Sequence, residues 1–399
     1  MIDPGSADDG LLLSPLRFVP YAVDVWCILL PARELRGGRI RKVTLLGVEY
    51  AVFRDSSGQI YGIEDRCPHR GIELSLGSVD AGHIRCAYHG WRIDGATAQV
   101  LRPDGSLSDQ PSCLRRIALR ERFGLVWGFV GDPNRAEAHP LPEIASYGEK
   151  NTVNILVRKS IAAHWSYVFD NGIDLYHYGL HADVPFFFRT LSLEDFAPVR
   201  DYFQVHYRAV MPDYLGRNRE GDLVIRVASS LFRLDLGNHL RIHGLATPIS
   251  ADGRQLDMWW FVTIFAPAWL CPILQLIKPL LSHQVHRGFD QDVEVVESEQ
   301  KAFDRGLRGQ REPNRAVYGA HQYLAGLIKD SAMAMSPVIP AERLSVEAFL
   351  PDALRGELGV VWDDGERATV IDPEQEQERL RQLGNIELAR YQHFVVIRP

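Results

Sequence analysis

The sequence predicts an α+β protein in which a small all-β domain, residues 1–145, precedes a larger domain of mixed pattern, residues 146–399. Between about residues 18 and 130, short runs of β-branched and aromatic residues alternate with turn residues. Beyond a connector rich in proline, strand-like runs alternate with segments of helical spacing. A length of 399 residues also suits two domains, each with its own buried core.

Individual elements follow from these patterns. In the first domain we expect strands in 42–53 and 124–130. In the second domain the expected strands are 202–210, 223–228, 231–236 and 258–265, and the segments with helical spacing are 160–181, 293–303 and 315–330. Together they predict an antiparallel sheet with helices packed against it.

One apolar stretch allows several interpretations. Residues 258–277 contain no charged side chain over twenty positions, which is long enough for a transmembrane helix. Pro267 and Pro272 fall inside it, so a strand followed by an apolar helix is the better prediction. That helix would line a substrate entrance, touch a membrane surface or simply pack in the core.

Composition narrows the class of protein and its surroundings. A net charge of -7 disfavours nucleic acid as a partner. The first ten residues lack the basic and apolar regions of a secretory signal, so we expect a cytoplasmic protein. The cysteines are few, odd in number and widely spread, which favours reduced thiols or metal ligands over a disulfide framework. They are Cys27, Cys67, Cys86, Cys113 and Cys271.

The first candidate metal site combines a C-x-H and a C-x-x-H motif. Cys67 and His69 form the first, and Cys86 and His89 form the second after a gap of sixteen residues. Two thiolates on one iron and two neutral imidazoles on the other are the ligands of a Rieske 2Fe-2S cluster. A structural zinc site is the alternative, although zinc fingers usually place both cysteines before both histidines. The order of the ligands favours the Rieske cluster.

A second candidate metal site lies in residues 170–185. Asp174, His177 and His181 are spaced by three and four residues and would share one face of a helix, with Asn171 one turn earlier. Two such histidines can bind one metal ion, and a two-His-one-carboxylate iron site needs only one further carboxylate. Alone, the pair is better explained as two partly buried structural histidines that make hydrogen bonds. Beside a cluster motif, an oxygen-activating iron is the better interpretation.

From about residue 21 to 300 the chain resembles the terminal oxygenase components of the Rieske non-heme iron oxygenases, also called ring-hydroxylating oxygenases. The resemblance rests on the two cysteine–histidine motifs, on YHGW at 88–91, on Asn-x-x-Asp-x-x-His at 171–177 and on a downstream carboxylate. Three residues separate His177 from His181, as in the branch that includes the carbazole dioxygenase-like oxygenases.

The resemblance implies the third iron ligand. In this family an Asp five residues before a Glu completes the site, and Asp292 with Glu297 matches that spacing. The neighbouring Asp290 does not, because Val295 stands five residues after it. The implied cofactors are therefore a 2Fe-2S Rieske cluster and a mononuclear Fe(II), with dioxygen as co-substrate.

The resemblance also implies an assembly and a route for electrons. Family members have a Rieske β-domain followed by a catalytic domain with a curved antiparallel sheet covered by helices, and they commonly form trimers. In the trimer the cluster of one subunit lies near the iron of its neighbour. Asp174 would accept hydrogen bonds from His89 and His177 and so bridge the two centres, while Asn171 would hold a water or orient the pocket.

Partners follow from what the sequence lacks. It has no Gly-x-Gly-x-x-Gly after a strand, so NAD(P)H would act only indirectly, through a ferredoxin or a flavin reductase. Basic runs at 33–42 and 115–122 would steer an acidic ferredoxin or form an ordinary solvated surface. Three phenylalanines at 186–188 are either ordinary core residues or an apolar wall near the iron, and in the second case the substrate is largely apolar. The resemblance implies an aromatic or cyclic substrate, which would be hydroxylated or oxidatively demethylated. The alternatives are a Rieske electron-transfer protein without oxygenase activity and a zinc-stabilised scaffold.

Overall fold

The computed structural model describes residues 15–108, 114–181, 184, 189–212, 217–306, 314–334, 361–363 and 367–369. The chain divides into two compact units, Met1–Leu324 and Ala325–Pro399. Antiparallel sheets and packed helices make up the first unit, which confirms the predicted α+β class. The predicted boundary between residues 145 and 146 lies between the last strand of the N-terminal sheets and the first strand of the large sheet, and it stays a prediction.

The N-terminal region contains ten strands in three antiparallel sheets, with the orders β1-β10-β9, β2-β3-β4 and β5-β6-β7-β8. The strands are β1 Val25–Pro31, β2 Ile40–Leu45, β3 Val48–Arg54, β4 Ile60–Glu64, β5 Ser78–Asp80, β6 His83–Arg85, β7 Arg92–Asp94, β8 Val100–Leu101, β9 Leu119–Arg122 and β10 Leu125–Val130. The run predicted as one strand over 42–53 is a hairpin. Leu46 and Gly47 both have positive φ and reverse the chain there.

The following region forms one antiparallel sheet of seven strands in the order β11-β17-β16-β15-β14-β13-β12. The strands are β11 Thr152–Ile161, β12 Arg189–Val199, β13 Tyr202–Pro212, β14 Asn218–Val227, β15 Leu231–Leu236, β16 Leu240–Pro248 and β17 Leu256–Phe265. The helices are α1 Trp165–Ile173, α2 Cys271–Leu276, α3 Lys278–Asp304 and α4 Arg315–Ala334. The four strands predicted from sequence all lie in this sheet.

The two regions share a core, because aromatic side chains of β1 and β10 pack against one face of the large sheet. Trp26 and Trp127 meet Leu245, Trp259 and Phe261 there, and all five are buried. Helices α1 and α3 contact each other, and α3 also contacts β11 at the edge of the same sheet. The sheet therefore supports α3, which carries the carboxylate of the second candidate site. Through α3 it also supports the segment after α1 that carries the two histidines.

The helix predicted over 160–181 is wrong in its extent. Residues up to Ile161 belong to β11, and α1 ends at Ile173. Asp174 has an extended backbone, with φ -82° and ψ 92°, and the chain resumes as a 3-10 helix over Leu175–His181. The histidines therefore lie on a tighter helix that follows a break, and not on one continuous face.

The apolar stretch 258–277 is a strand followed by the short helix α2, as predicted. No helix in the described ranges combines the length and the apolar composition needed to cross a membrane. In the second unit the described residues form the last part of α4 and an antiparallel hairpin, β18 Val361–Asp363 and β19 Arg367–Thr369.

Candidate metal centres

Two similar loops carry the cysteine and histidine motifs. Cys67 and His69 lie in the loop after β4, and Cys86 and His89 lie between β6 and β7. The backbone closes both loops in the same way. Cys67 N–H donates to Ile72 O at 2.8 Å, and Cys86 N–H donates to Trp91 O at 2.8 Å. Each loop also turns through a glycine with φ near 70°, at Gly71 and at Gly90, which a residue with a side chain adopts only with strain.

The cysteines and the histidines of this site differ in how deeply they are buried. Both cysteines are buried in the core of the β-domain, whereas His69 and His89 are exposed at the loop tips. The two imidazole rings lie 4.7 Å apart, and His69 stacks on Trp91 at 5.0 Å. Desolvation and the neighbouring His69 lower the pKa of His89, which favours the neutral imidazole that binds metal. The two cysteines thus share one buried cluster of side chains and the two imidazoles lie side by side at the loop tips, an arrangement that fits a 2Fe-2S cluster.

The residues of the second predicted site also lie close together in the structure. Nε2 of His181 lies 3.1 Å from Oδ1 of Asp292, and Nε2 of His177 lies 3.6 Å from the same oxygen. One ligand atom from each of the three side chains lies within 4.8 Å of the others. Oδ1 of Asp292 is buried and has no hydrogen-bond partner within the described ranges. A buried, unsatisfied carboxylate oxygen facing two imidazoles fits a divalent iron of the two-His-one-carboxylate kind.

A glutamine that the motifs did not indicate orients one histidine. Nδ1 of the buried His181 lies 3.0 Å from Oε1 of Gln291, which is adjacent to Asp292 on α3. A hydrogen bond at Nδ1 leaves Nε2 free to face a metal. The only sequence signal for Gln291 is its position beside the carboxylate.

Helix α3 is held in register with the loop before α1 by two side chains. Oε1 of Glu297 accepts a hydrogen bond from the backbone of Ala162 at 2.9 Å, and Oε1 of Gln300 accepts one from the backbone of His164 at 2.8 Å. Glu297, which served as a spacing marker in the sequence, therefore connects α3 to the start of the iron-site segment.

Asp290 and Asp292 differ in their surroundings as the spacing argument requires. The Asp290 side chain is 59% exposed and pairs with Lys159, on the side of α3 that faces β11. Asp292 is turned towards the two histidines instead.

The structure corrects the expected role of Asp174 within one subunit. Its carboxylate accepts a hydrogen bond from the backbone N–H of Tyr176 at 3.1 Å. The group that contacts Nδ1 of His177 is the backbone carbonyl of Asp174 and not its carboxylate. A bridge to His89 of another subunit stays a prediction. Asn171 is half-buried in the last turn of α1, and its role also stays a prediction.

A buried charged cluster that sequence reasoning missed holds the end of α1. Arg17 and His321 both contact the carboxylate of Asp170, and Arg17 also donates to Oγ of Ser166 at 2.6 Å. Burial raises the pKa of Asp170, but the charges of Arg17 and His321 outweigh it and keep that pKa below its ordinary value. These residues are far apart in sequence and share no motif, so no local pattern indicates the cluster.

Acidic side chains partly neutralise the two basic runs. Three of the nine basic residues in the two runs proposed to steer a ferredoxin pair with acidic side chains: Arg41 with Glu34, Lys42 with Glu73 and Arg115 with Glu64. The steering role stays a prediction. The phenylalanines at 186–188 and Cys113 lie outside the described residues.

Comparison with known proteins identifies the type of the N-terminal domain. Residues 25–107 match the Rieske [2Fe-2S] domain, so the N-terminal region is a Rieske domain and the cluster is favoured over zinc. A curated relative, the 4beta-methylsterol monooxygenase of Methylococcus capsulatus (strain ATCC 33009 / NCIMB 11132 / Bath), is 31% identical over 48% of this chain and 54% of its own length. The chain thus spans about half the length of that relative.

Solved structures share the fold. Dicamba monooxygenase bound to dicamba has a TM-score of 0.62 at 18% identity, over 78% of this chain and 98% of its own. The terminal oxygenase of carbazole 1,9a-dioxygenase from Nocardioides aromaticivorans IC177 has a TM-score of 0.61 at 17% identity, over 80% and 98% of the two chains. The resemblance to the oxygenase components of Rieske non-heme iron oxygenases, made from the motifs, is thereby confirmed.

Proposed function

We propose that the chain is a terminal oxygenase that receives electrons from a ferredoxin or a flavin reductase and oxidises an apolar cyclic substrate with dioxygen. The observation that carries the proposal is the convergence of His177, His181 and Asp292 in a chain that also has a Rieske domain. A protein that only transfers electrons needs no second set of iron ligands. When bound, the cluster would supply electrons and the mononuclear iron would activate dioxygen.

The side chains divide into two ligand sets. The cluster would be held by Cys67, His69, Cys86 and His89. Fe(II) would be held by His177, His181 and Asp292, which leaves coordination positions open. Gln291 would keep His181 in the tautomer that presents Nε2 to the metal. Because His69 and His89 are exposed, the cluster would be accessible to a donor protein, and NAD(P)H would act only through that partner.

The substrate class is supported by the relatives. A methylsterol, dicamba and carbazole, which appear in their names, are all ring compounds. We infer an aromatic or cyclic substrate with a large apolar part, which is hydroxylated or oxidatively demethylated.

The test begins with metal content. The full chain, reconstituted anaerobically with iron and sulfide, should bind about three irons, two in the cluster and one at the mononuclear site. Reductase-coupled oxygen uptake is then measured over a panel of aromatic, terpenoid, sterol and N- or O-methylated compounds, and product is scored against peroxide. About two irons per chain with no substrate-dependent uptake would support the electron-transfer protein instead. A colourless zinc protein would contradict both.

A further inference from the structure

An exposed apolar surface lies at α2 and the start of α3, outside both metal centres. We call it the α2 patch and define it by five side chains: Trp269, Ile273, Leu276, Ile277 and Leu280. Trp269 is 69% exposed, Leu276 81% and Leu280 60%. None of the residues of α2 is buried, although the helix is mostly apolar. Exposed apolar residues this close together are typical of an interaction surface.

The orientation of this patch is fixed by the sheet edge. Sγ of Cys271 and Nε2 of Gln275 both contact the backbone carbonyl of Thr152, at 3.8 Å and 3.0 Å, in the edge strand β11. Because Cys271 and Gln275 are one helical turn apart, they turn that side of α2 towards the sheet. Ile273 and Leu276 are thereby directed away from it.

The charge around the patch indicates what it would bind. Residues 266–289 contain no Asp or Glu, in a chain with 51 acidic residues and a net charge of -7. The only Lys or Arg residues in that segment are Lys278 and Arg287, and Arg287 is exposed. The first acid, Asp290, is paired with Lys159. Within this segment, apolar side chains and an exposed tryptophan therefore lie beside cationic residues and no acidic residue, which is complementary to an anionic lipid surface.

We propose that the α2 patch binds the surface of an anionic phospholipid bilayer, with Trp269 at the level of the headgroups. Helix α2 has six residues and is too short to span, so the chain would lie on the membrane. The proposal does not depend on the oxygenase activity.

Vesicle flotation of the full chain tests the proposal. Wild type should float with phosphatidylcholine vesicles containing phosphatidylserine and bind pure phosphatidylcholine much more weakly. Lys278→Gln should weaken binding about fivefold, since each cation near an anionic surface contributes about that factor. Trp269→Ser with Leu276→Ser and Leu280→Ser should weaken it more than about 100-fold. The matched control is Leu76→Ser with Leu107→Ser, two side chains 65% and 60% exposed elsewhere, which should bind as wild type does.

A second measurement reports the depth of insertion. Brominated lipids should quench part of the tryptophan fluorescence, and Trp269→Phe should bind normally but lose that quenching. All variants should keep the visible absorption of the cluster and the wild-type melting temperature. Failure of wild type to float, or equal binding by the triple serine variant, would overturn the proposal. So would a lipid-free oligomer that dissociates only in the triple serine variant, because a second copy would then cover the patch.

Discussion

Nε2 of His181 lies 3.1 Å from Oδ1 of Asp292, a buried oxygen with no hydrogen-bond partner in the described part of the chain. A buried carboxylate oxygen without a donor costs about 1–3 kcal/mol or more. His177 converges on the same point. A divalent cation held by the three side chains would offset this cost, since it would supply the positive charge that the oxygen faces.

The first prediction concerns the two candidate aspartates, Asp290 and Asp292. Asp292→Ala should weaken binding of the mononuclear iron by more than about 100-fold, since even indirect contacts to a metal site are worth 10- to 100-fold. Iron analysis should fall from about three to about two per chain while the cluster absorption remains. Asp290→Ala is the matched control, because it removes only an exposed pair with Lys159. Iron loss in Asp290→Ala and retention in Asp292→Ala would reverse the assignment.

The contact between Gln291 and His181 gives a second prediction. Gln291→Leu removes the acceptor at Nδ1 of His181, so iron affinity should fall about 10- to 100-fold. Gln291→Glu retains an acceptor oxygen and should restore most of the affinity. Fe(II) titration of the apoprotein measures both. If the leucine and glutamate variants bind iron equally well, Gln291 does not orient the histidine.

The break at Asp174 shows what sequence patterns could and could not predict here. The residue types and their spacing predicted both candidate ligand sets, since those patterns are local or follow a family motif. The orientation of the two histidines in space, in contrast, does not follow from the local sequence. On a continuous α-helix His177 and His181 would point within about 40° of each other, whereas on a 3-10 helix four residues advance about 120° beyond a full turn. They meet because Asp292 reaches both from another helix.

Contacts between distant segments could not be predicted either, because local sequence patterns do not indicate them. Gln291, Glu297 and Asp170 act through partners 110, 135 and more than 150 positions away, and no local periodicity encodes such pairs. The hairpin in 42–53 was missed because Leu46 adopts positive φ, which few residues with a side chain do, and so gave no turn signal.

A third prediction concerns the cluster ligands. The purified protein should be red-brown, and His69→Cys or His89→Cys should abolish the low-field Rieske resonance in electron paramagnetic spectra. Replacing an imidazole by a thiolate adds negative charge and should lower the potential towards the value of about -400 mV found for all-cysteine clusters of the plant type. His83→Gln is the control, because His83 lies near the second loop but outside the motif. A colourless protein with stoichiometric zinc would contradict the cluster.

A fourth prediction links pH to stability. Burial lowers the pKa of His243 to about 3, and the charges of Arg233 and Arg241 act in the same direction, against Asp235. Below a pH of about 6.5 the unfolded chain protonates this histidine while the folded chain does not. The free energy of unfolding should therefore fall, by about 1.4 kcal/mol per pH unit, as the pH drops from about 6 to about 4.

Replacing His243 should remove its share of that slope, about 1.4 kcal/mol per pH unit. The buried His164, whose pKa burial also lowers to about 3, contributes a second share that remains. Neither ring nitrogen of the buried His243 has a hydrogen-bond partner among the residues described, so His243→Leu should also stabilise the protein at pH 7 by about 1–3 kcal/mol. Denaturant unfolding at several pH values measures both effects. The exposed His283→Gln serves as control and should keep the wild-type slope. A wild-type slope in His243→Leu would assign the acid sensitivity to other groups.

The last prediction tests the assembly together with Asp174. Among the residues that the structure describes in one subunit, the carboxylate of Asp174 accepts a hydrogen bond only from the backbone of Tyr176, so Asp174→Asn should keep both metal centres. If the carboxylate bridges to His89 of a neighbouring subunit, turnover should still fall by more than about 100-fold, because an amide cannot offer two equivalent acceptor oxygens. The same reasoning predicts complementation in mixed trimers of His89→Ala and His177→Ala chains. Each variant alone should be inactive, but an intact cluster in one subunit can serve an intact iron site in the next. Co-expression with two different tags, double purification and turnover assays measure this. Mixed trimers that retain both centres and show no activity would exclude transfer between subunits, and a monomeric mass would remove its basis.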